Sequence, residues 1–383
     1  MTRKIQSPLV LGGSMILMLV LGSVHAFSVF LLPIENTFTV SRTSSSFTYS
    51  LTLVVLTVFV LFGHHVFKHL NPVQLVLMVG AVSSLGALLA GFADHLVLVW
   101  IGYGVLFGAA NGLGYAFCLQ FAGQSNPAFS GGAMGLVTAA YGLGAAIAPL
   151  PFQTLVNGYG FQGGMIGLSA ALMVVAPIVA FMFARSRCHL KLPEPSNDSS
   201  TRVSFNTVGR LWIAFATAVF AGLMVIGHAT GIVQSAGLDS RFLYIAPIAI
   251  ALANVCGSVF GGYFVDVIDA KRILAFVVTL STLSLLFLAY LATPKLSIIG
   301  LAVVGFSYGA TISAFPAAIS RAFGAVAGIR IYGRVFTAWG TAGLCGPWIA
   351  GVLYGSTGGY FETLLLAAAF GLVSLVAVRR TPV

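Results

Sequence analysis

The chain has 383 residues, 58% of them hydrophobic and 7% charged, with a mean hydropathy of +1.02 and a net charge of +10. Soluble domains carry about 25% charged residues, so 18 Lys and Arg with 8 Asp and Glu cannot cover a water-facing surface of this size. A soluble enzyme is excluded, and 45 glycines with 30 phenylalanines fit membrane helices, which accept glycine readily.

A helix crosses the hydrocarbon core in about 20 mostly apolar residues. That ruler predicts twelve spans, at 9–32, 46–63, 73–93, 96–121, 131–156, 161–184, 211–235, 242–264, 273–293, 297–320, 335–355 and 361–378. The runs lack the short alternation of membrane strands. The first follows Arg3 and Lys4, as a signal peptide would, but it is too long for an h-region and lacks a small-residue cleavage site. It is expected to remain as the first helix. The one long polar segment, 185–210, reads as a flexible cytoplasmic linker between six-helix bundles at 1–184 and 211–383.

Fifteen of the 18 Lys and Arg fall on one side of these spans, leaving Arg42, Arg241 and Lys295 on the other. The positive-inside rule then places both termini in the cytoplasm, and the compact loops fit a bacterial inner membrane. The excess charge is a topology signal and requires no nucleic acid; the expected surroundings are a lipid bilayer. Cys118, Cys188, Cys256 and Cys345 lie far apart with no CxxC, so neither a metal site nor a disulfide framework is expected. The G-x-G pattern around Gly102 and Gly104 follows no strand, which removes the dinucleotide reading. No cofactor and no catalytic constellation are expected.

The halves resemble each other. Ser41-Arg42 precedes the second span and Ser240-Arg241 the eighth; Phe62-Gly63 ends one and Phe260-Gly261-Gly262 approaches the end of the other. His25 and His228 lie in the first helix of each half. Count, linker and repeat together resemble the major facilitator architecture, an all-α membrane fold of twelve helices in two pseudo-symmetric six-helix bundles.

The family's loop signature, G-x-L-a-D-r-x-G-r-r, is matched after span 8 by Gly262-Tyr-Phe-Val-Asp266 with Lys271-Arg272. After span 2 only Gly63 and Lys68 remain, with Phe67 at the acidic position. The resemblance implies a gating role for Lys68, Asp266, Lys271 and Arg272, joined by Arg42 and Arg334. Further patterns resemble the monocarboxylate and oxalate/formate transporter branch. They are Phe27-Ser-Val-Phe-Leu-Leu-Pro33 running on to Phe38-Thr-Val-Ser-Arg42, Ala221-Gly-Leu-Met-Val-Ile-Gly-His228, Gly305-Phe-Ser-Tyr-Gly309, and Tyr332-Gly-Arg-Val-Phe-Thr-Ala-Trp339 through Pro347. Two departures bear on substrate. Ser258 stands where the branch often has a carboxylate-pairing Arg, and Trp339 where oxalate exchangers have a Lys. A dianion wants two fixed cations, so oxalate itself is a poor fit.

An ionisable group inside a span costs several kcal/mol and is a functional candidate by default. Here only His25 and His228 qualify. An imidazole, with an unperturbed pKa of about 6.5, could hold an anion while protonated and release it when neutral. The competing role is a neutral ring that packs helices. Asn111, Tyr115, Tyr141, Asn254, Ser258, Tyr308 and Trp339 complete the expected substrate-binding set, because a few polar groups suffice to orient a small ligand in an apolar pocket. The expected function is secondary transport of a small organic anion, a monocarboxylate, by proton symport or exchange with a counter-anion. The alternative is an exporter or importer of a larger amphipathic metabolite such as a drug or siderophore.

Overall fold

In the computed structural model, which describes residues 6–191, 204–239, 242, 245–291 and 293–381, the first predicted span is not one helix. Helix α1 (Gln6–Leu21) gives way to a 3-10 turn, Gly22–Ala26, before α2 (Ser28–Phe38). Gly22 and Ser23 are weak helix formers, and Gly22 lies so close to the Tyr141 carbonyl oxygen that a Cβ there would collide with it. The seventh predicted span breaks similarly: α9 (Phe205–Ile226) stops at Gly227-His228 and α10 (Ala229–Ser235) follows. The fourth begins as α5 (Leu96–Val99), passes through a π-helical stretch, Trp100–Phe107, and continues as α6 (Gly108–Ser125). The unbroken helices expected at 9–32, 96–121 and 211–235 are thereby corrected. Counting apolar residues cannot register a local change in hydrogen-bond spacing, which is what 3-10 and π turns are.

The other helices stand near their expected places. Ser41 caps α3 (Arg42–Val66), its hydroxyl accepting from the Ser44 N–H at 3.3 Å. Asn71 and Gln74 form a reciprocal capping box at α4 (Pro72–Gly91), with Pro72 in the first helical position, an arrangement worth about 1 kcal/mol over an uncapped start. The fifth predicted span, 131–156, is also corrected: Ala148 divides it between α7 (Ser130–Ile147) and α8 (Pro149–Ser186), and α8 turns at Gly160, whose φ of 66° and ψ of −165° suit glycine alone. The second half continues with α11 (Ile245–Val267), α12 (Ala270–Leu291), α13 (Pro294–Phe323), α14 (Ala325–Thr357) and α15 (Phe361–Arg379). Helix α14 starts ten residues before the predicted 335, so Arg330 and Arg334 lie on its first turns. Gly324, at φ 81°, separates α13 from α14.

Among the described residues, ten segments are long and apolar enough to cross a membrane, and no strand is present. One of them, Pro127–Ser186, has 60 residues and holds both α7 and α8. Helix α14, with 33 residues, carries two arginines and is glycine-rich rather than strongly apolar. The middle of the expected linker, together with Arg3, Lys4, Ser240 and Arg241, lies outside the described residues.

The chain divides into two compact units. The first runs to Pro127 and resumes at Ala140 through α8; the second takes Ala128–Ala139 with everything from α9 onward. In the first, α4 packs on α8 and α3 on α6, with α1 against both α6 and α8. In the second, α11 packs on α13, α9 on α14 and α15, and α12 on α13 and α15. Lipid tails offer no hydrophobic drive for helix association, so close backbone approach through small residues takes its place. A Cβ on Gly112 would strike the Leu56 carbonyl, and one on Gly309 the Asn254 carbonyl. Large apolar side chains such as Phe62, Leu85, Phe181 and Leu283 point outward, as expected where the solvent is hydrocarbon.

Candidate functional site

In the first unit, the 3-10 turn carries His25 to the centre of an aromatic and polar cluster. Its Nδ1 lies 2.7 Å from the Tyr49 hydroxyl of α3. The imidazole also meets the Tyr141 ring of α7 edge to face, with centroids 5.5 Å apart. Tyr141 donates its hydroxyl to Asn111 Oδ1 at 2.9 Å, and the Asn111 amide donates to the Leu21 carbonyl at 2.7 Å. Leu21 is the last residue of α1, where carbonyls lack helical partners, so Asn111 satisfies the break that the 3-10 turn creates. Asn111 is fully buried. Tyr115, one turn further along α6, packs its ring on Tyr141 with centroids 5.2 Å apart. Four predicted residues, His25, Asn111, Tyr115 and Tyr141, thus converge. Tyr49 is the member that sequence reasoning missed. Its signal was a phenol in the Ser- and Thr-rich first turns of α3, two helical turns after Arg42.

His228 has different company. Its Nε2 lies 2.9 Å from the Pro347 carbonyl of α14, so that nitrogen carries the proton and donates. Its Nδ1 stands 3.3 Å from the Tyr360 hydroxyl, immediately before α15. His25 meets the second and fifth helices of its half, and His228 the fifth and sixth of its own. Each histidine marks a break in the first helix of its half and meets the fifth, while the third partner differs: Tyr49 of the second helix for His25 and Tyr360 before the sixth for His228.

The remaining residues of the second unit form two groups. Trp339 donates its indole N–H to the Tyr308 hydroxyl at 2.7 Å and stacks on Phe336, centroids 5.2 Å apart and planes 16° from parallel. Beside Tyr308 is a crevice of about 10 Å³ lined by Gly222, Ser307 and Thr311 among others, room for about one water. Asn254 and Ser258 share a face of α11, as their spacing predicted, and that face lies against α13. Ser258 is fully buried, and its hydroxyl reaches the Gly309 carbonyl at 3.3 Å and Asn254 Oδ1 at 3.4 Å.

At the inner ends, Asp266 holds the start of α7. Its two carboxylate oxygens accept from the N–H groups of Gly131 and Gly132 at 2.9 and 2.8 Å, all within the second unit. A carboxylate at a helix N-terminus meets unpaired donors and the positive end of the helix dipole. Arg321, which the sequence reasoning left unassigned, donates to the Val265 and Ile268 carbonyls at the end of α11. Asp269 caps α12 through the Arg272 N–H at 3.1 Å. Phe67, at the position of the missing acid, is buried and packs on Phe117 with centroids 5.7 Å apart. Lys68, Arg272 and Arg334 are exposed and Lys271 is half-buried; the side chain of Arg42 lies outside the described residues.

A sequence profile for the Major Facilitator Superfamily matches residues 13–330. The chain is 25% identical to the uncharacterized MFS-type transporter YhjX of Escherichia coli, over 88% of this chain and 86% of that one. It is 26% identical to the oxalate:formate antiporter of Oxalobacter formigenes (78% and 74% covered) and 26% identical to monocarboxylate transporter 13 of Rattus norvegicus (92% and 83%). Among solved structures, FucP in its outward conformation aligns with a TM-score of 0.72 at 15% identity, covering 97% of this chain and 98% of that one. The proton:xylose symporter XylE aligns at 0.74 and 11% identity, covering 97% and 94%. These likenesses carry the fold, two bundles of six membrane helices, and the profile spans most of the sequence: the chain belongs to the Major Facilitator Superfamily.

Proposed function

We propose that this membrane transporter carries a small monocarboxylate by alternating access, coupled to a proton through His25. The observation that carries the proposal is the first-unit cluster, in which an imidazole at a helix break is held between two phenols with a buried amide behind them. A protonated His25 supplies the single positive charge that a monoanion needs. Tyr141 and its neighbours supply neutral hydrogen-bonding and apolar contacts. Similarity to an oxalate:formate antiporter and to a monocarboxylate transporter supports a carboxylate substrate. Ser258 and Trp339, in place of two family cations, favour a monoanion over a dianion. The proton is assigned to His25 rather than His228 because His25 stands in the cluster that gathers Asn111, Tyr115 and Tyr141, whereas His228 is held by the Pro347 carbonyl and the Tyr360 hydroxyl apart from the other candidate residues of its unit.

Asp266 is assigned to gating, its hold on the first turn of α7 being the contact that must break during the cycle; Lys68, Lys271, Arg272, Arg334 and Arg42 surround the same task. Both termini are assigned to the cytoplasm of a bacterial cell. The test is L-lactate uptake into proteoliposomes at pH 6 and 7.5, with formate, acetate and oxalate as competitors. Monoanions should compete and oxalate should not, and His25→Gln should remove the pH response. A second reading, transport of a larger amphipathic compound, is favoured by the aromatic face of Tyr308, Phe336 and Trp339. Competition by hydrophobic amphiphiles and by none of the carboxylates would select it.

A further inference from the structure

Tyr49 touches His25 more closely than any feature of the sequence suggested, and its ring is not free to turn away. The phenol stacks on Phe27, centroids 5.7 Å apart and planes 11° from parallel, and Phe27 is in turn packed on Tyr103 at 5.2 Å. Phe27 follows the 3-10 turn directly, so the segment that presents His25 also clamps the ring of its partner. Two phenols face His25 among the described residues, Tyr49 from α3 and Tyr141 from α7. Tyr103 lies beyond Phe27 on the first side, and Tyr115 packs directly on Tyr141 on the second. Glu35 of α2 is engaged by the Ser45 hydroxyl at 2.9 Å.

We propose that Tyr49 is a positioning residue that keeps His25 Nδ1 hydrogen-bonded in both protonation states and so sets the pH window of the proton step. This rests on the assignment of the proton to His25 made above. A hydroxyl is both donor and acceptor. When His25 is neutral with its proton on Nε2, the Tyr49 O–H donates to Nδ1. When Nδ1 is protonated, its N–H donates to the Tyr49 oxygen after the hydroxyl hydrogen rotates. The arriving proton forms the N–H bond at Nδ1, no other covalent bond changes, and no heavy atom moves. The two bonds are unequal, because a hydrogen bond from a charged donor is about twice as strong as a neutral one. Tyr49 therefore stabilises protonated His25 more than neutral His25. Without it the imidazole gives up its proton at lower pH.

The experiment reads His25 directly and needs no known substrate. Histidine-labelled full-length protein in detergent is titrated by NMR, with the His25 signal assigned by its loss in His25→Gln. Tyr49→Phe should lower the His25 midpoint by about one pH unit, the size expected for the difference between a charged and a neutral hydrogen bond, and leave the His228 signal in place. Replacing Tyr49 by 3-fluorotyrosine keeps the packing but weakens the oxygen as an acceptor. It should lower the midpoint by a smaller amount, and it serves if the Phe variant does not fold. An unmoved or raised midpoint in either variant overturns the proposal. L-lactate uptake on the same variants separates the two layers of the argument. An unchanged pH profile in His25→Gln removes the proton from His25 altogether. A flattened profile there, with the His25 midpoint unmoved in the Tyr49 variants, removes only Tyr49.

Discussion

Trp339 stands in the second unit where Tyr141 stands in the first. Tyr141 donates to Asn111, Trp339 donates to Tyr308, and the offsets agree: 111 to 308 is 197 positions and 141 to 339 is 198. The close helix approaches obey the same offset, since Leu56 with Gly112 becomes Asn254 with Gly309. The repeat therefore preserves a donor on the fifth helix and an acceptor on the fourth while exchanging the chemistry, phenol to amide in one half and indole to phenol in the other.

The equivalence gives unequal costs. Tyr141→Phe removes the donor from the oxygen of Asn111, a residue with 0% exposure, and a buried acceptor left unsatisfied costs about 1–3 kcal/mol. Trp339→Phe keeps a ring to stack on Phe336 and leaves the hydroxyl of half-buried Tyr308, which should cost only about 0.5–1.5 kcal/mol. Thermal melting in detergent should rank Tyr141→Phe below Trp339→Phe. The reverse order would show that the two rungs do not bear on stability as their burial implies.

Much of this arrangement was legible in the sequence, and the missing part has a physical cause. Apolar run length revealed the spans because lipid imposes a minimum length on any crossing helix. Asn111, Tyr115, Tyr141, Tyr308 and Trp339 stood out because polar and amphipathic groups are sparse in those runs. The breaks at His25 and His228 were invisible, because 3-10 and π turns change backbone bonding without changing hydrophobicity. Tyr49 was overlooked for the same reason: it gains its partner only once the turn at Gly22–Ala26 swings His25 toward α3. Ser258 was placed on the correct face of α11, but only packing shows that this face meets α13.

Glycines at the helix contacts should divide sharply from a glycine in open space. Gly112→Ala and Gly309→Ala each drive a methyl into a backbone carbonyl, which cannot rotate aside as a side chain can. Each should cost at least about 1–3 kcal/mol and reduce the yield of folded protein. Gly209, on α9, has nothing within 4 Å of its would-be Cβ. Gly209→Ala should be neutral or stabilise by up to about 1 kcal/mol. Melting temperatures of the three variants check this, and a destabilised Gly209→Ala would contradict it.

Asp266 should be sensitive to a change that is nearly isosteric. Asp266→Asn keeps one oxygen but presents an NH2 group to the second of the two N–H donors of Gly131 and Gly132. It also removes the negative charge from the α7 N-terminus, an interaction worth about 0.3–1 kcal/mol, rising to about 2 in a partly buried setting. Lower thermal stability should accompany altered uptake rates, whereas Asp266→Glu should recover part of both. Equal stability of Asp266→Asn and the parent would show that the cap is dispensable.

Ser258→Arg decides whether α11 contributes to the substrate site. Ser258 stands where related transporters often carry an Arg, so the resemblance alone argues that restoring that cation strengthens anion binding. The packing argues the other way. Ser258 has 0% exposure and sits against α13, its hydroxyl within reach of the Gly309 carbonyl and Asn254 Oδ1. One residue earlier, a Cβ on Gly257 would strike the Phe306 carbonyl, so the two helices have no slack with which to admit a guanidinium. The arginine would be buried among neutral groups at a cost of several kcal/mol, or would force α11 away from α13. The expected result is a sharp fall in expression or melting temperature in detergent, with no gain in affinity for lactate or formate. A stable Ser258→Arg variant that binds these anions more tightly, with less dependence on pH, would instead put this face of α11 in contact with substrate.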